Sequence, residues 1–320
     1  MSQIVNHNDT ECYAIFDENN LYFFDIWNSA QPTDTICFKN FETFNNYSGF
    51  NYINNDTIFL YRYSSRKLFL SNALAETKRV WKIEDPDDVV LPRALAYSPI
   101  LYRPPYTILS GCRLGHPDDT YGDTFHTSAI INTDDSSINY ECNYPEVYRH
   151  GNFGGVYMNE IFHTIDTDGR VVYSFPADHN IYRLNTITHQ VDSLYMGSRY
   201  TPAINSTTDA EMKILIDKDL RIKYFISQHS YSNILYDHYN HVYYRIARHP
   251  LNQWDGGAFV QPISVIAMTT DGSILSETPI INYDGKLTCW NMHVCSKGLL
   301  IQEDNENEDI ISFKLLQLHE

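Results

Sequence analysis

Arg170-Val171-Val172-Tyr173-Ser174-Phe175, a turn at Ala177-Asp178-His179-Asn180, then Ile181-Tyr182-Arg183-Leu184 and Gln190-Val191-Asp192-Ser193-Leu194-Tyr195 form the stretch that decides the fold. Short runs of aromatic and β-branched residues, broken by Asn, Asp, Gly and Ser, read as strands joined by tight turns. The same pattern recurs at residues 21–26 and 35–38, at 57–63, 67–70 and 79–83, at 241–246, 263–268 and 273–275, and at 298–301 and 309–313. A further copy with longer insertions is expected between Ala94 and Cys142. Weakly self-similar antiparallel units at a spacing of roughly 40–50 residues are the mark of a β-propeller, in which each twisted sheet covers its faces against its neighbours. The expectation is an all-β propeller of four-stranded antiparallel sheets, six blades being favoured over seven, with residues 1–320 as one domain. A pair of β-sandwiches also uses short strands. The repeating unit and the lack of a dividing linker favour the propeller. One stretch departs from the strand pattern: residues 208–216 have a cap-like start and apolar spacing that predict a short helix between blades.

Several segments carry a resemblance: Val171-Val172-Tyr173-Ser174-Phe175-Pro176-Ala177-Asp178-His179-Asn180-Ile181-Tyr182, Gly197-Ser198-Arg199-Tyr200, Tyr231 to Ile246 followed by His249-Pro250 and Asp255-Gly256, and Lys297-Gly298-Leu299-Leu300-Ile301. Together, and in this order, they resemble the domain-of-unknown-function 4221 family, bacterial β-propellers of a TolB-like six-bladed type. The resemblance implies a propeller and, commonly, an exported lipoprotein at the periplasm or cell surface. It implies no activity. The chain departs from that pattern at its start: residues 1–9 show neither a basic nor an apolar leader segment, and Cys12 does not sit in a lipidation site. A cytoplasmic protein and the mature part of an exported one both fit.

Composition narrows the function classes. The 320 residues carry 40 Asp and Glu against 23 Lys and Arg, a formal net charge of −17. A general nucleic-acid binder needs a basic footprint, so nucleic acid is not an expected partner. No run approaches the roughly 18 apolar residues of a membrane span. The six cysteines form no C-x-x-C pair and read as free thiols.

For chemistry, no G-x-S-x-G elbow, H-E-x-x-H helix or phosphate loop occurs. His229, His238, His241 and His249 lie close in sequence, but strand alternation points His238 and His241 opposite ways. The loop from Gly115 to His126 holds three aspartates and two histidines without calcium-loop spacing. No metal and no cofactor are expected. The strongest set is Tyr231, Tyr236, Tyr243, Tyr244, Arg245 and Arg248, with Arg149 and Arg199 elsewhere. Tyr offers a flat apolar face with a hydroxyl, and Arg a planar donor fork for carboxylate or phosphate. Lining a central funnel, these residues would suit a glycan, a peptide, an acidic small ligand or a partner protein. The competing reading packs the aromatics between blades and pairs the arginines with carboxylates. The resulting expectation is a monomeric, non-catalytic binding propeller, with a carbohydrate-active hydrolase or lyase on the same scaffold as the alternative.

Overall fold

A computed structural model describes residues 1–17, 19–28, 30–38, 48–84, 92–112, 126–208, 217–251, 261–280, 287–305, 307 and 310–318. Six antiparallel sheets follow one another along the chain. The first holds β1 (Ser2–His7), β2 (Thr10–Asp17), β3 (Asn20–Asp25) and β4 (Asp34–Cys37). The second holds β5 (Gly49–Asn54), β6 (Thr57–Arg62), β7 (Lys67–Ser71) and β8 (Thr77–Lys82). The third, in the region with long insertions, holds β9 (Leu101–Arg103), β10 (Tyr106–Ser110), β11 (His126–Asn132) and β12 (Ile138–Asn143). The fourth holds β13 (Phe162–Ile165), β14 (Arg170–Ser174), β15 (Asn180–Asn185) and β16 (Val191–Tyr195). The fifth holds β17 (Ser230–Asp237), β18 (Val242–Arg248), β19 (Ile263–Thr269) and β20 (Ile274–Ile280). The sixth has three strands among the described residues: β21 (Leu287–Cys295), β22 (Gly298–Glu303) and β23 (Ser312–Leu316). The first strands lie side by side, β1 by β5, β13 by β17, β17 by β21, and β21 by β1, which closes the ring. This is a six-bladed β-propeller.

The packing explains why the sheets stack radially. Each of five successive blade interfaces holds its own apolar core: Leu21, Phe23 and Phe50 between blades 1 and 2; Tyr61, Trp81 and Leu109 between 2 and 3; Ile108, Val171 and Tyr173 between 3 and 4; Val172, Tyr231 and Tyr243 between 4 and 5; Ile246, Val265 and Leu299 between 5 and 6. Burying such a side chain contributes about 1.5–3 kcal/mol, so the interfaces rather than the single sheets hold the molecule together. The joint between blades 6 and 1 differs. Ser2 donates to Asn291 at 2.8 Å, Asn291 donates to the Tyr13 hydroxyl at 2.8 Å, and Ser296 donates through its amide to Glu11 at 2.7 Å. Tyr13 packs edge-on against His293 and Phe313 across this joint, and beside them Phe24, Trp27, Leu300 and Ile311 line an open groove of about 380 Å³.

Among the described residues each sheet is built from one contiguous stretch of sequence. Turns fix the registers. Asn8 (φ 50°) and Asp9 (φ 61°) form the two-residue link between β1 and β2, with both residues left-handed as such tight hairpins require. Gly298, which opens β22, has φ +136°, and a Cβ there would sit 2.2 Å from the Leu316 carbonyl oxygen. Gly298→Ala is therefore expected to cost about 2–3 kcal/mol. Urea denaturation measures this, and an unchanged midpoint would refute the steric argument.

Two α-helices lie among the described residues. α1 (Val147–His150) carries Arg149, and α2 (Lys218–Ile226) lies just before β17. The Asp217 carboxylate caps α2 by accepting from the amides of Asp219 and Leu220. The helix expected at residues 208–216 falls on residues 209–216, which lie outside the described residues. No helix among the described residues is long and apolar enough to cross a membrane.

Candidate functional site

The six innermost strands line an axial cavity of about 300 Å³. That volume is at the small end of the roughly 300–1,000 Å³ typical of ligand pockets. Every blade or its lead-in contributes: Ser2 and Gln3, Asn51 and Ile53, Tyr97 and Tyr102, His163 and Ile165, Asn233 and Tyr236, Met292 and His293. No Asp, Glu, Lys or Arg is among its lining residues, which mix polar side chains with aliphatic ones such as Ile53, Ile165 and Val294. Gln3 donates to Asn51 Oδ1 at 2.9 Å, and Asn51 donates to the Ile100 carbonyl at 2.7 Å. Asn233 lies in the irregularity between Tyr231 and Ile234, where β17 slips against β18. Its buried Oδ1 has no hydrogen-bond partner among the described residues. An unpaired buried acceptor carries a desolvation penalty that a ligand N–H or O–H would remove.

Two histidines of the wall are neutral by burial. His163 is pushed down to about 4 and His293 to about 3. His163 Nε2 donates to the Pro99 carbonyl at 2.6 Å, which leaves Nδ1 to accept from Ser110 at 2.5 Å. Ser110, Ser128 and Tyr173 continue this buried chain at 2.7 and 2.8 Å. The Ser2 hydroxyl lies 3.2 Å from His293 Nε2, the spacing of a nucleophile and its base. Asn291 decides the protonation. Its amide nitrogen donates to Tyr13 and Gln302, so its Oδ1 faces His293 Nε2 at 2.6 Å as an acceptor. Nε2 must then carry the proton, and it has no lone pair with which to activate Ser2.

The Tyr/Arg set does not converge on this cavity; of its eight members only Tyr236 lines it. Alternation along β18 divides the rest. Tyr243 and Arg245 face blade 4, where the Tyr243 hydroxyl donates to Asp166 at 2.7 Å. Arg245 is fully buried, and it donates to Ser174 Oγ and to the carbonyls of Phe175, Asp178, His179 and Met196 at 2.7–3.3 Å. Its guanidinium also lies 3.8 Å from the Tyr231 ring centroid. The fork that sequence reasoning offered to a ligand is thus taken up by backbone of the neighbouring blade. Tyr231 is buried beside it, with its hydroxyl 2.7 Å from His179 Nδ1. Tyr244 faces the other way, its hydroxyl donating to Asp237 at 3.1 Å. Arg199 is exposed and donates to the Glu277 carbonyl at 2.7 Å, and Arg149 is exposed on α1. Arg248 is buried at the opposite end of β18 from the β17–β18 turn, among the rings of Phe162, Phe225 and Trp290.

The histidine window also separates. His229 and His249 face one another at 5.7 Å, and His238 is at the cavity. Among the described residues no three His, Cys, Asp or Glu side chains converge as metal ligands. Residues 113–125, most of the acidic loop, lie outside the described residues. Cys12, Cys37, Cys112, Cys142 and Cys295 are free thiols. Sequence reasoning missed Ser2, Asn51, His163, Asn233 and His293 as cavity residues.

A ring of six sequential blades around an axial cavity defines the class, a six-bladed β-propeller. The chain belongs to the DUF4221 family, described as a domain of unknown function, whose profile matches residues 44–279. A crystal structure of a DUF4221 family member from Bacteroides vulgatus is similar, with a TM-score of 0.77 and 18% identity over 98% of this chain and 92% of that one. A putative exported protein from Bacteroides fragilis aligns with a TM-score of 0.54 and 14% identity over 94% and 78% of the two chains. A streptogramin B lyase aligns with a TM-score of 0.50 and 12% identity over 99% and 83%. At these identities the likeness is one of fold. No curated protein matches the chain.

Proposed function

We propose that this protein is a non-catalytic binding propeller whose axial cavity takes a small neutral polar ligand, a short glycan or peptide, outside the cytoplasm. The observation that carries the reading is the cavity wall: without Asp, Glu, Lys or Arg, with Tyr, Asn and His set among aliphatic side chains, and holding Asn233 Oδ1 unpaired among the described residues. Aromatic faces with a few placed hydrogen-bonding groups suit sugar rings and peptide bonds. Among its described lining residues there is no pair of carboxyl groups for glycoside chemistry, and the Ser2–His293 contact is protonated the wrong way for nucleophilic attack. The location follows the family resemblance, and fractionation of cells expressing the native gene tests it.

Binding is tested by calorimetric titration of neutral oligosaccharides and short peptides into the purified chain. Ile53→Trp is the control, since Ile53 is 38% exposed and lines the cavity, so a larger side chain there narrows the space without cutting into the core. A ligand whose affinity falls on the order of tenfold or more in that variant supports the reading. Ligands that bind both forms alike, or reducing sugar released from a glycan, would overturn it.

A further inference from the structure

We propose that Arg248 anchors a second, buried site that binds a carboxylate, placed where blades 4, 5 and 6 meet. The guanidinium is 2% exposed, yet its Nε and Nη2 have no hydrogen-bond partner among the described residues. These two nitrogens form one edge of the guanidinium, the side that takes a carboxylate with two parallel bonds. The same edge is filled at Arg183, where Nε and Nη2 donate to the two oxygens of Asp192 at 2.7 and 2.9 Å. At Arg248 the fork is present and no carboxylate is hydrogen-bonded to it among the described residues.

A second observation points to the same place. Ser230 pairs directly with Arg248 across the β17–β18 ladder, so both side chains leave the sheet on one face. Ser230 is fully buried, and its hydroxyl also has no partner among the described residues. A carboxylate held by the fork would leave lone pairs for that hydroxyl to donate to. The rings around the guanidinium stabilise the cation but give its nitrogens no acceptor. Phe162, Phe225 and Trp290 place their ring centroids 4.8–5.5 Å from the guanidinium carbon. The buried Glu160 carboxylate pairs with Arg93 at 3.3 Å and also feels the Arg248 charge, so two buried cations share one carboxylate and one positive charge is in excess. A buried cation lacking a partner is costly, and a bound anion removes the cost. Tyr97, which lines the axial cavity, packs on both Phe162 and Trp290, so the two sites are neighbours with opposite preferences, one for neutral groups and one for an anion.

The test uses the purified full chain in chloride buffer, titrated at constant ionic strength with sodium acetate or sodium glucuronate, and with sodium phosphate in a parallel arm. Thermal unfolding and the ¹⁵Nε–¹H resonance of Arg248, assigned by its loss in Arg248→Met, are the readouts. The expected result is a carboxylate-dependent rise in Tm together with a shift of that resonance. Both are absent in Arg248→Met and weakened on the order of tenfold in Arg248→Lys, which keeps the charge without the fork. In chloride alone Arg248→Met is expected to melt no lower than the native chain, because it removes an unpaired buried charge. A lower Tm for that variant in chloride would make Arg248 a packing residue and overturn the proposal. Equal responses to acetate and chloride, or a stronger response to phosphate, would overturn it too. Ile53→Trp leaves these responses intact, so failure here is distinguishable from failure of the cavity reading.

Discussion

Arg245→Met is expected to destabilise the protein by about 4 kcal/mol, the range for breaking a buried charged network. The loss does not come from the charge itself. Burial already pushes the guanidinium down to about 10, although it remains protonated at neutral pH. It comes from what is left behind: the Asp178 and Met196 carbonyls and the Ser174 hydroxyl lose a donor that a thioether cannot replace, while the Phe175 and His179 carbonyls keep the amides of Asp178 and Met196. Each such unpaired buried group costs about 1–3 kcal/mol before local relaxation. Arg245→Lys recovers only part, because three donors on a point charge cannot span acceptors arranged for a planar fork. Urea unfolding of the three proteins measures this. A methionine variant with a native midpoint would show that these carbonyls find other partners.

The second large effect is acid sensitivity. His163 and His293 titrate near 4 and 3 in the folded protein, against about 6.5 in an unfolded chain. The unfolded state therefore binds more protons as pH falls, and the stability linked to these groups is complete above pH 6.5 and lost on the way down to their folded values. For His163 the loss is about 3 kcal/mol by pH 4, at about 1.4 kcal/mol per unit. Buried Glu160 works in the opposite direction, since its carboxyl is raised by burial and its protonation relieves a buried charge. His163→Gln keeps a donor toward Pro99 and removes the titration. Its stability should fall less steeply between pH 6.5 and 4 than that of the native chain. Identical slopes would show that His163 is not the group being protonated.

The blades were legible in the sequence, but their inner edges were not. The strand runs at 57–63, 67–70 and 79–83 correspond to β6, β7 and β8, and the copy expected between Ala94 and Cys142 is the third blade. Those strands alternate or bury strongly apolar residues, so period and composition agree. The innermost strands β1, β13 and β21 gave no such signal, because one of their faces turns toward the cavity. Ser2, His163 and His293 occupy positions where a strand pattern expects Val or Ile. The same alternation misled the reading of the Tyr/Arg set. Residues 243–248 are neighbours in sequence, yet odd and even positions leave β18 on opposite faces, so Arg245 and Arg248 serve different interfaces. Nothing in the sequence separates an arginine whose fork is filled by backbone from one whose fork is open.

The joint between blades 6 and 1 has a geometric consequence. Six blades must sum to one full turn, and five interfaces with close-packed apolar cores each fix their own angle within narrow limits. Any residual error in that sum collects at the one joint held by hydrogen bonds beside an open groove. A small change in blade pitch is expected to show first at this joint, where amides near Ser2 and Asn291 should open to solvent before those between blades 3 and 4.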